Sequence, residues 1–327
     1  MEKPQKSHHK VGIGHMAIFS QHQWAVILGG SSGFGLSAAA KLSHEGMSVC
    51  ILHRDRRGAM GRINEAFDTI KANGNGFVAL NTNALDDEDR HKAIEALYDA
   101  MGAQGRVRLL LHSIAFGNLK PLVPPLPNKH QADSLGLLAS ELNISPASLA
   151  DKVASAFDKG AHALHGLNAP HYGDQVLSDE DFARTIYAMG TSLAAWVQHL
   201  HRRALFSRDA RVLSLTSEGN QVAWRGYAAV SAAKAALEAV SRAIALEYGP
   251  HGIRANIIQA GVTDTPALKA IPGSQRMKAV ATLRNPLGRL TTPRDVADAI
   301  CLMCLDEAGW INGALLRVDG GEHIASL

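Results

Sequence analysis

Strand-length apolar runs alternate with helix-length amphipathic runs along most of this chain, and that rhythm narrows the fold more than any other feature. WAVILGG, residues 24–30, is followed by a glycine-rich turn and by FGLSAAAKLSHEG, a helix ending near Gly46. SVCILHR, GFVALNTNA and RLLLHSIAF read as the second to fourth strands, with GRINEAFDTIKANG and EDRHKAIEALYDAMG as the helices between them. Phe67 and Ile70 share one face of the first of these. Continuous apolar runs, rather than alternating ones, mark strands buried on both faces. SDEDFARTIYAMGTSLAAWVQHLHRRAL predicts one long helix, acidic in its first turn and basic in its last, as the helix dipole favours. RVLSLTS, IRANIIQAG and ALLRVDGG are the remaining strands, separated by helices over 227–248 and TPRDVADAICLMCL. The expectation is an α/β fold with a doubly wound parallel sheet.

Residues 118–176 break the pattern. They open proline-rich, where a regular helix cannot run. SPASLADKVASAF then reads as a helix with Ser145 as N-cap and Pro146 in the first turn. The segment is short and interrupted, so we expect an insertion without a core of its own. The organisation is then a flexible tail over residues 1–20 and one domain over 21–327, with the insertion at 118–176. The insertion leaves the fourth strand at the end where open α/β sheets carry their ligand crevice. A lid, an oligomer contact and a surface decoration all fit that position.

The 327 residues are 46% hydrophobic, enough for one large core, and the net charge of +3 gives no concentrated basic stripe for nucleic acid. No stretch of about 20 apolar residues suits a membrane span. MEKPQKSHHKVGIGHM lacks an apolar run of signal-peptide length, and three cysteines, Cys50, Cys301 and Cys304, suit a reducing compartment. A soluble cytoplasmic protein is expected. Cys301 and Cys304 have no second pair to complete a zinc site. His112, His130, His162, His165 and His171 lack ligand spacing, so no metal is expected.

The turn LGGSSGFG, residues 28–35, lies between the first strand and the first helix. Gly29, Gly33 and Gly35 stand in register with a dinucleotide-binding turn, the mark of a Rossmann-type sheet. Glycine there lets a pyrophosphate approach the backbone and the helix N-terminus. Ser31 and Ser32 offer hydroxyls to the phosphates, with Phe34 between the glycines. The second strand ends in His53 and Arg54, with Arg56 and Arg57 behind them. An acidic residue at this strand end would bind a ribose hydroxyl. The basic cluster suits a 2′-phosphate, hence NADPH over NADH, although Asp55 sits among the arginines.

In GYAAVSAAKAAL, residues 226–237, Tyr227 and Lys234 stand seven apart. With the glycine turn and the sheet rhythm, this pair makes the chain resemble the short-chain dehydrogenase/reductase superfamily over most of residues 24–322. Most members read Tyr-x-x-x-Lys, but the fourth position after Tyr227 is Ser231. The seven-residue step resembles the enoyl-acyl-carrier-protein reductase branch. LHSIAFG at 111–117 agrees, and GVTDTPALKAIP at 261–272 looks like the nicotinamide-side loop of an NADPH-using type.

The spacing has a physical reading. Four and seven steps return to nearly the same helix face, but seven travel about 10 Å against about 6 Å. Hydride delivered to a β-carbon builds charge on the thioester oxygen two carbons away, so the proton donor moves outward while the lysine stays on the ribose.

The resemblance implies that Tyr227 stabilises the enolate oxygen. It implies that Lys234 binds the nicotinamide ribose. Ser217 stands ten before Tyr227, where many enoyl reductases carry a second Tyr and carbonyl reductases a helper hydroxyl. It also implies cofactor contacts for Asn83 and Ala84 after the third strand, and for Ser113, Ile114 and Ala115. Gly261, Thr263 and Thr265 complete that set.

The implied substrate is a trans-2-enoyl thioester on acyl carrier protein or coenzyme A, reduced in fatty-acid synthesis by a homotetramer. Arg276, Lys278, Arg284 and Arg289 offer charge to an acidic carrier. Reduction of a ketone or enone is the alternative within the superfamily. A non-catalytic NADPH sensor or scaffold is the alternative outside it.

Overall fold

The computed structural model describes residues 17–126, 128–168 and 172–326. Seven strands form one parallel sheet: β1 (Gln23–Leu28), β2 (Ser48–His53), β3 (Phe77–Asn81), β4 (Arg106–His112), β5 (Phe206–Thr216), β6 (Ile253–Ala260) and β7 (Leu315–Val318). Their order across the sheet is β3-β2-β1-β4-β5-β6-β7. The order reverses between β1 and β4, and such a switch point opens a crevice beyond the carboxyl ends of the strands.

Helices cover both faces. On one, α1 (Gly33–His44), α2 (Met60–Lys71) and α11 (Pro293–Met303) bury Ala38, Leu42, Phe67 and Ile300 against Ile27, Ile51 and Leu111. On the other, α3 (Asp87–Met101), α7 (Ser192–Arg202) and α8 (Ala228–Glu247) bury Leu97, Trp196 and Leu237 against Leu28, Leu110 and Val212. The alternation of strand side chains between these layers is why each strand reads as a continuous apolar run. Cys50, Cys301 and Cys304 are free and buried within them. No helix of the described residues is long and apolar enough to cross a membrane.

The long helix expected after residue 176 is interrupted. It runs as α6 (Asp179–Ile186), a wide π-turn at Tyr187–Thr191, and then α7. Gly190 in that turn lies so close to α8 that an added Cβ would sit 2.7 Å from Ala233 O. Close packing of the two helices thus coincides with the break in regular winding.

The insertion also departs from expectation. Ser145 caps α5 (Pro146–Asp158), as its sequence predicts, but α4 (Lys129–Glu141), capped by Asn128, is additional. These two helices bury Ala139, Leu149 and Val153, with Leu135, Ile144, Leu164 and Leu167 packed on them. The insertion therefore has a small core of its own, built by apolar residues too widely spaced to read as one period. Its flanks are tied to α6 by Lys120–Asp181 at 2.8 Å and Asn118 N–H to Thr185 Oγ1 at 3.0 Å. Its turn at His162–Gly166 lies against α10 (Ser274–Arg284).

The tail is shorter than the 1–20 expected. Phe19 is buried in the core, and its N–H donates to Glu45 O at 2.8 Å. The rest of that expectation, residues 1–16, lies outside the described residues, as does His171.

Candidate active site

A cleft of about 570 Å³ opens at the carboxyl ends of β1, β4, β5 and β6. Its first wall is the glycine turn. Gly29 has φ +85°, and a Cβ there would lie 2.7 Å from Ser113 O, so only glycine lets β1 and β4 approach this closely. A Cβ on Gly35 would meet Gly29 O, which fixes α1 directly against the turn. Ser32 is the N-cap of α1 in position but makes no capping bond, and no acidic side chain occupies the first turn. Free N–H groups and the Ser31 and Ser32 hydroxyls thus face the cleft, a fit for a pyrophosphate. The chain has the cradle that a nicotinamide dinucleotide needs.

Gly29, Ser31, Ser32, Gly33, Phe34, His53, Arg54, Ser113, Ile114, Ala115, Gly261, Thr263 and Thr265 all line the cleft, together with Ser217, Tyr227 and Lys234. Asn83 and Ala84 do not. The Asn83 N–H is held by Asp89 Oδ2 at 3.0 Å and its side chain accepts from Leu85 N–H at 3.3 Å, so it serves the turn into α3. Ala84 O accepts from Trp196 Nε1 at 2.9 Å and is committed to the helix layer. Gly35 works through packing rather than contact. Thr263 Oγ1 donates to Gly261 O at 2.9 Å, and Thr265 caps α9 (Pro266–Lys269) by accepting from Leu268 N–H at 3.2 Å.

The end of β2 is more mixed than a basic cluster. His53 is buried, with Nδ1 2.9 Å from Asp55 Oδ2. Arg54 is exposed and lies over the Phe116 ring, 4.5 Å from its centroid. Asp55 lines the cleft alongside Arg54, whereas Arg56 and Arg57 do not.

A second wall follows from one turn. Gly226 has φ +78°, which swings the chain into α8 with Tyr227 as the N-cap residue. Tyr227 is thus not inside the helix, but its carbonyl accepts from Ser231 N–H at 2.8 Å and so begins the helical ladder. Its hydroxyl lies 3.2 Å from Ser217 Oγ. Burial raises the Tyr227 phenol above its ordinary value, opposed by the Ser217 bond. Lys234 is buried two turns on, donating from Nζ to Leu215 O at 2.8 Å. Burial pushes its ammonium down to about 8, opposed by the charge of Glu238. Glu238 itself accepts from Thr216 Oγ1 at 2.8 Å and from Asn220 Nδ2.

The apolar end of the cleft is lined by Leu119, Met189, Trp224, Val230 and Ile271, which sequence pattern alone did not assign. They come from five separate segments and share no periodicity. Arg284 was expected as an exposed cation. Instead it bridges Glu218 Oε2 at 2.6 Å and Glu322 Oε1 at 3.1 Å, clasping α10 to the segment after Ser217 and to the C-terminal turn. Arg289 pairs with Asp295 at 2.7 Å and Lys278 with Asp264 at 3.6 Å. Among the described residues, Arg276 alone of the four has no ion-pair partner within 4.0 Å.

One grouping of metal-ligand type occurs among the described residues, Asp87, His91 and His199, with ligand atoms within 4.8 Å of one another. It lies on α3 and α7, not in the cleft, and Arg90 holds Asp87 at 2.6 Å.

Comparison with known proteins agrees with this geometry. The family model described as "Enoyl-(Acyl carrier protein) reductase" matches residues 149–323, more than half of the chain. A cis-4-hydroxycyclohexanecarboxylate dehydrogenase of Sinomonas cyclohexanicum is 31% identical over 180 residues, 52% of this chain and 72% of that protein. The NADH-dependent enoyl-[acyl-carrier-protein] reductase FabI of Escherichia coli K12 is 31% identical over 183 residues, 54% of this chain and 68% of that one. The fold of FabI from Candidatus Liberibacter asiaticus superposes with a TM-score of 0.68 at 18% identity, covering 96% of this chain and 99% of that one. With the glycine turn, the Tyr227–Lys234 step and the family match in agreement, the chain belongs to the enoyl-acyl-carrier-protein reductase family of the short-chain dehydrogenase/reductase oxidoreductases.

Proposed function

We propose that the protein reduces the carbon–carbon double bond of a trans-2-enoyl thioester with NADPH, in fatty-acid synthesis or related acyl-chain chemistry. The observation that carries this reading is the placement of Tyr227 at the mouth of α8, with Lys234 two turns deeper on the same cleft wall. When bound, the dinucleotide supplies hydride to the β-carbon. Tyr227 OH donates a hydrogen bond to the thioester oxygen as enolate charge develops there. The buried Lys234 ammonium holds the ribose hydroxyls and stabilises nearby negative charge. Leu119, Met189, Trp224 and Ile271 exclude water and receive the acyl chain. Arg54 beside His53 supports the choice of NADPH, through a charge-assisted contact to the 2′-phosphate. In this reading the enzyme is a soluble cytoplasmic homotetramer packed partly through α8, and its thioester is carried by acyl carrier protein or coenzyme A.

A second reading, ketone reduction, is favoured by one specific contact. The Ser217–Tyr227 hydroxyl pair resembles the donor pair that a carbonyl oxygen needs, and one relative is named a dehydrogenase. Following NADPH and NADH oxidation with a trans-2-enoyl thioester and a 3-ketoacyl thioester separates the two. Turnover of the enoyl substrate alone is expected. Turnover of the ketone alone overturns the first reading. The same enoyl assay with carrier-protein and coenzyme-A thioesters assigns the carrier, and sedimentation velocity reads the assembly.

A further inference from the structure

Lys234 lines the cleft and is itself buried. Its Nζ donates one hydrogen bond to Leu215 O, and an ammonium has three donors. On the strand beside Leu215, His112 closes β4 and pairs in register with Ser214 of β5. Residues paired across neighbouring strands leave the sheet on the same side. That side is the α7 and α8 layer, because Leu110 and Val212, two residues earlier on each strand, pack there with Trp196 and Leu237. His112 and Ser214 are both fully buried. Ser192 Oγ donates to Ala188 O at 3.1 Å, so it accepts from His112 Nε2 at 3.0 Å. This places the ring proton on Nε2 and leaves Nδ1 as an acceptor. Neither Nδ1 nor Ser214 Oγ has a protein partner. Two orphaned polar atoms on adjacent strands, beside a buried cation, are costly unless a small polar molecule joins them.

We propose that one buried water bridges His112 Nδ1, Ser214 Oγ and Lys234 Nζ, and that His112 is the positioning residue that holds the Lys234 ammonium through it. The water accepts from Nζ, donates to Nδ1 and pairs with the serine hydroxyl, so all three groups are satisfied. Besides His112, the titratable groups about Lys234 are Tyr227 at the start of its own helix and Glu238 one turn on. The proposal rests on the reading of Lys234 as the cofactor-side lysine.

The test titrates the Lys234 side chain by NMR in the whole protein, without substrate or cofactor. His112→Phe is expected to lower its midpoint by about one pH unit, the scale of one lost hydrogen bond to a charged group. Ser214→Ala, a small change, shifts it in the same direction by less. His112→Asn, which keeps an amide oxygen near the Nδ1 position, restores it. A crystal structure showing water within hydrogen-bond distance of all three atoms agrees. An unmoved midpoint in Ser214→Ala and in His112→Phe where it folds, or a dry site in the crystal, overturns the proposal. Because the titration needs no turnover, failure of enoyl reduction in the wild type would remove the functional reading and leave this result readable.

Discussion

Ser217 Oγ and Tyr227 OH lie 3.2 Å apart in the lining of the cleft, so either hydroxyl can donate to the other. Ser217 directly follows β5, and Tyr227, ten residues later, is the N-cap residue of α8. In the proposed reaction, removing the phenol removes the donor to the enolate. Tyr227→Phe is expected to lower kcat about 100-fold or more with little change in KM. Ser217→Ala is expected to cost about five- to tenfold, the worth of one neutral hydrogen bond. Steady-state kinetics with an enoyl thioester check both. A kcat unchanged in Tyr227→Phe would exclude the catalytic assignment.

The lysine sets a pH limit. Its ammonium titrates at about 8 because burial disfavours the charge. A folded value below the unfolded one means that the charged form is lost as pH rises through about 8. Cofactor affinity and kcat should therefore both decline on the alkaline side, with a midpoint near that value. Lys234→Met should abolish the limb. Fluorescence titration of NADPH across pH reads the effect on binding.

His112 sets an acid limit on stability. Burial and the charge of Lys234 push its imidazole down to about 3, from an ordinary value of 6.5. The unfolded chain gains a proton below its ordinary value, while the folded chain does not until about 3. Stability should fall as pH drops through that window. Denaturant midpoints of wild type and His112→Asn, compared at neutral and acid pH, should show a smaller acid loss in the variant.

The end of β2 is where the proposed cofactor choice can be tested. Arg54 is the exposed cation that lines the cleft there, and Asp55 beside it is engaged with His53. Arg54→Ala is expected to raise KM for NADPH about tenfold or more, through one lost charge-assisted contact, and to leave NADH little changed. An equal effect on both cofactors would remove Arg54 from phosphate recognition.

Arg284 ties together two acidic residues of the cleft lining. Its two carboxylate partners are Glu218, directly after Ser217, and Glu322, which is 2% exposed. Arg284→Ala would leave the buried Glu322 unpaired, which costs about 3 kcal/mol or more in a well-buried pair. A lower melting temperature and a raised KM for the thioester are expected, with Arg284→Lys intermediate. Calorimetry and kinetics on the same samples check the two together.

Much of this architecture was legible along the chain. Each β strand and its following helix carry their own period, and Ser145 and Pro146 announce a helix start by local chemistry. The glycine turn and the Tyr227–Lys234 step are equally local, since each depends on residues within one turn or one helix. What escaped was set by contacts that no single period carries. Asn83 and Ala84 follow the right strand, but a hydrogen bond to Asp89 and one from Trp196 draw them into the α3 side. The break at Tyr187–Thr191 coincides with the packing of Gly190 on Ala233 O. The core of the insertion joins α4 and α5 across a turn that neither period foretells.

The sequence by itself determined the sheet, its helices, the glycine turn and the Tyr227–Lys234 step, because short-range periodicity and steric need at glycine act over a few residues. Only the tertiary structure decided which charges are free and which are held. Arg284 and Arg276 lie eight apart on one segment, yet the first is locked between two carboxylates from elsewhere in the chain. It likewise decided that Lys234 is buried against the end of β5, with its Nζ on Leu215 O. Coulomb and desolvation energies depend on distance in space and on burial, and neither is written in the spacing of residues along the chain.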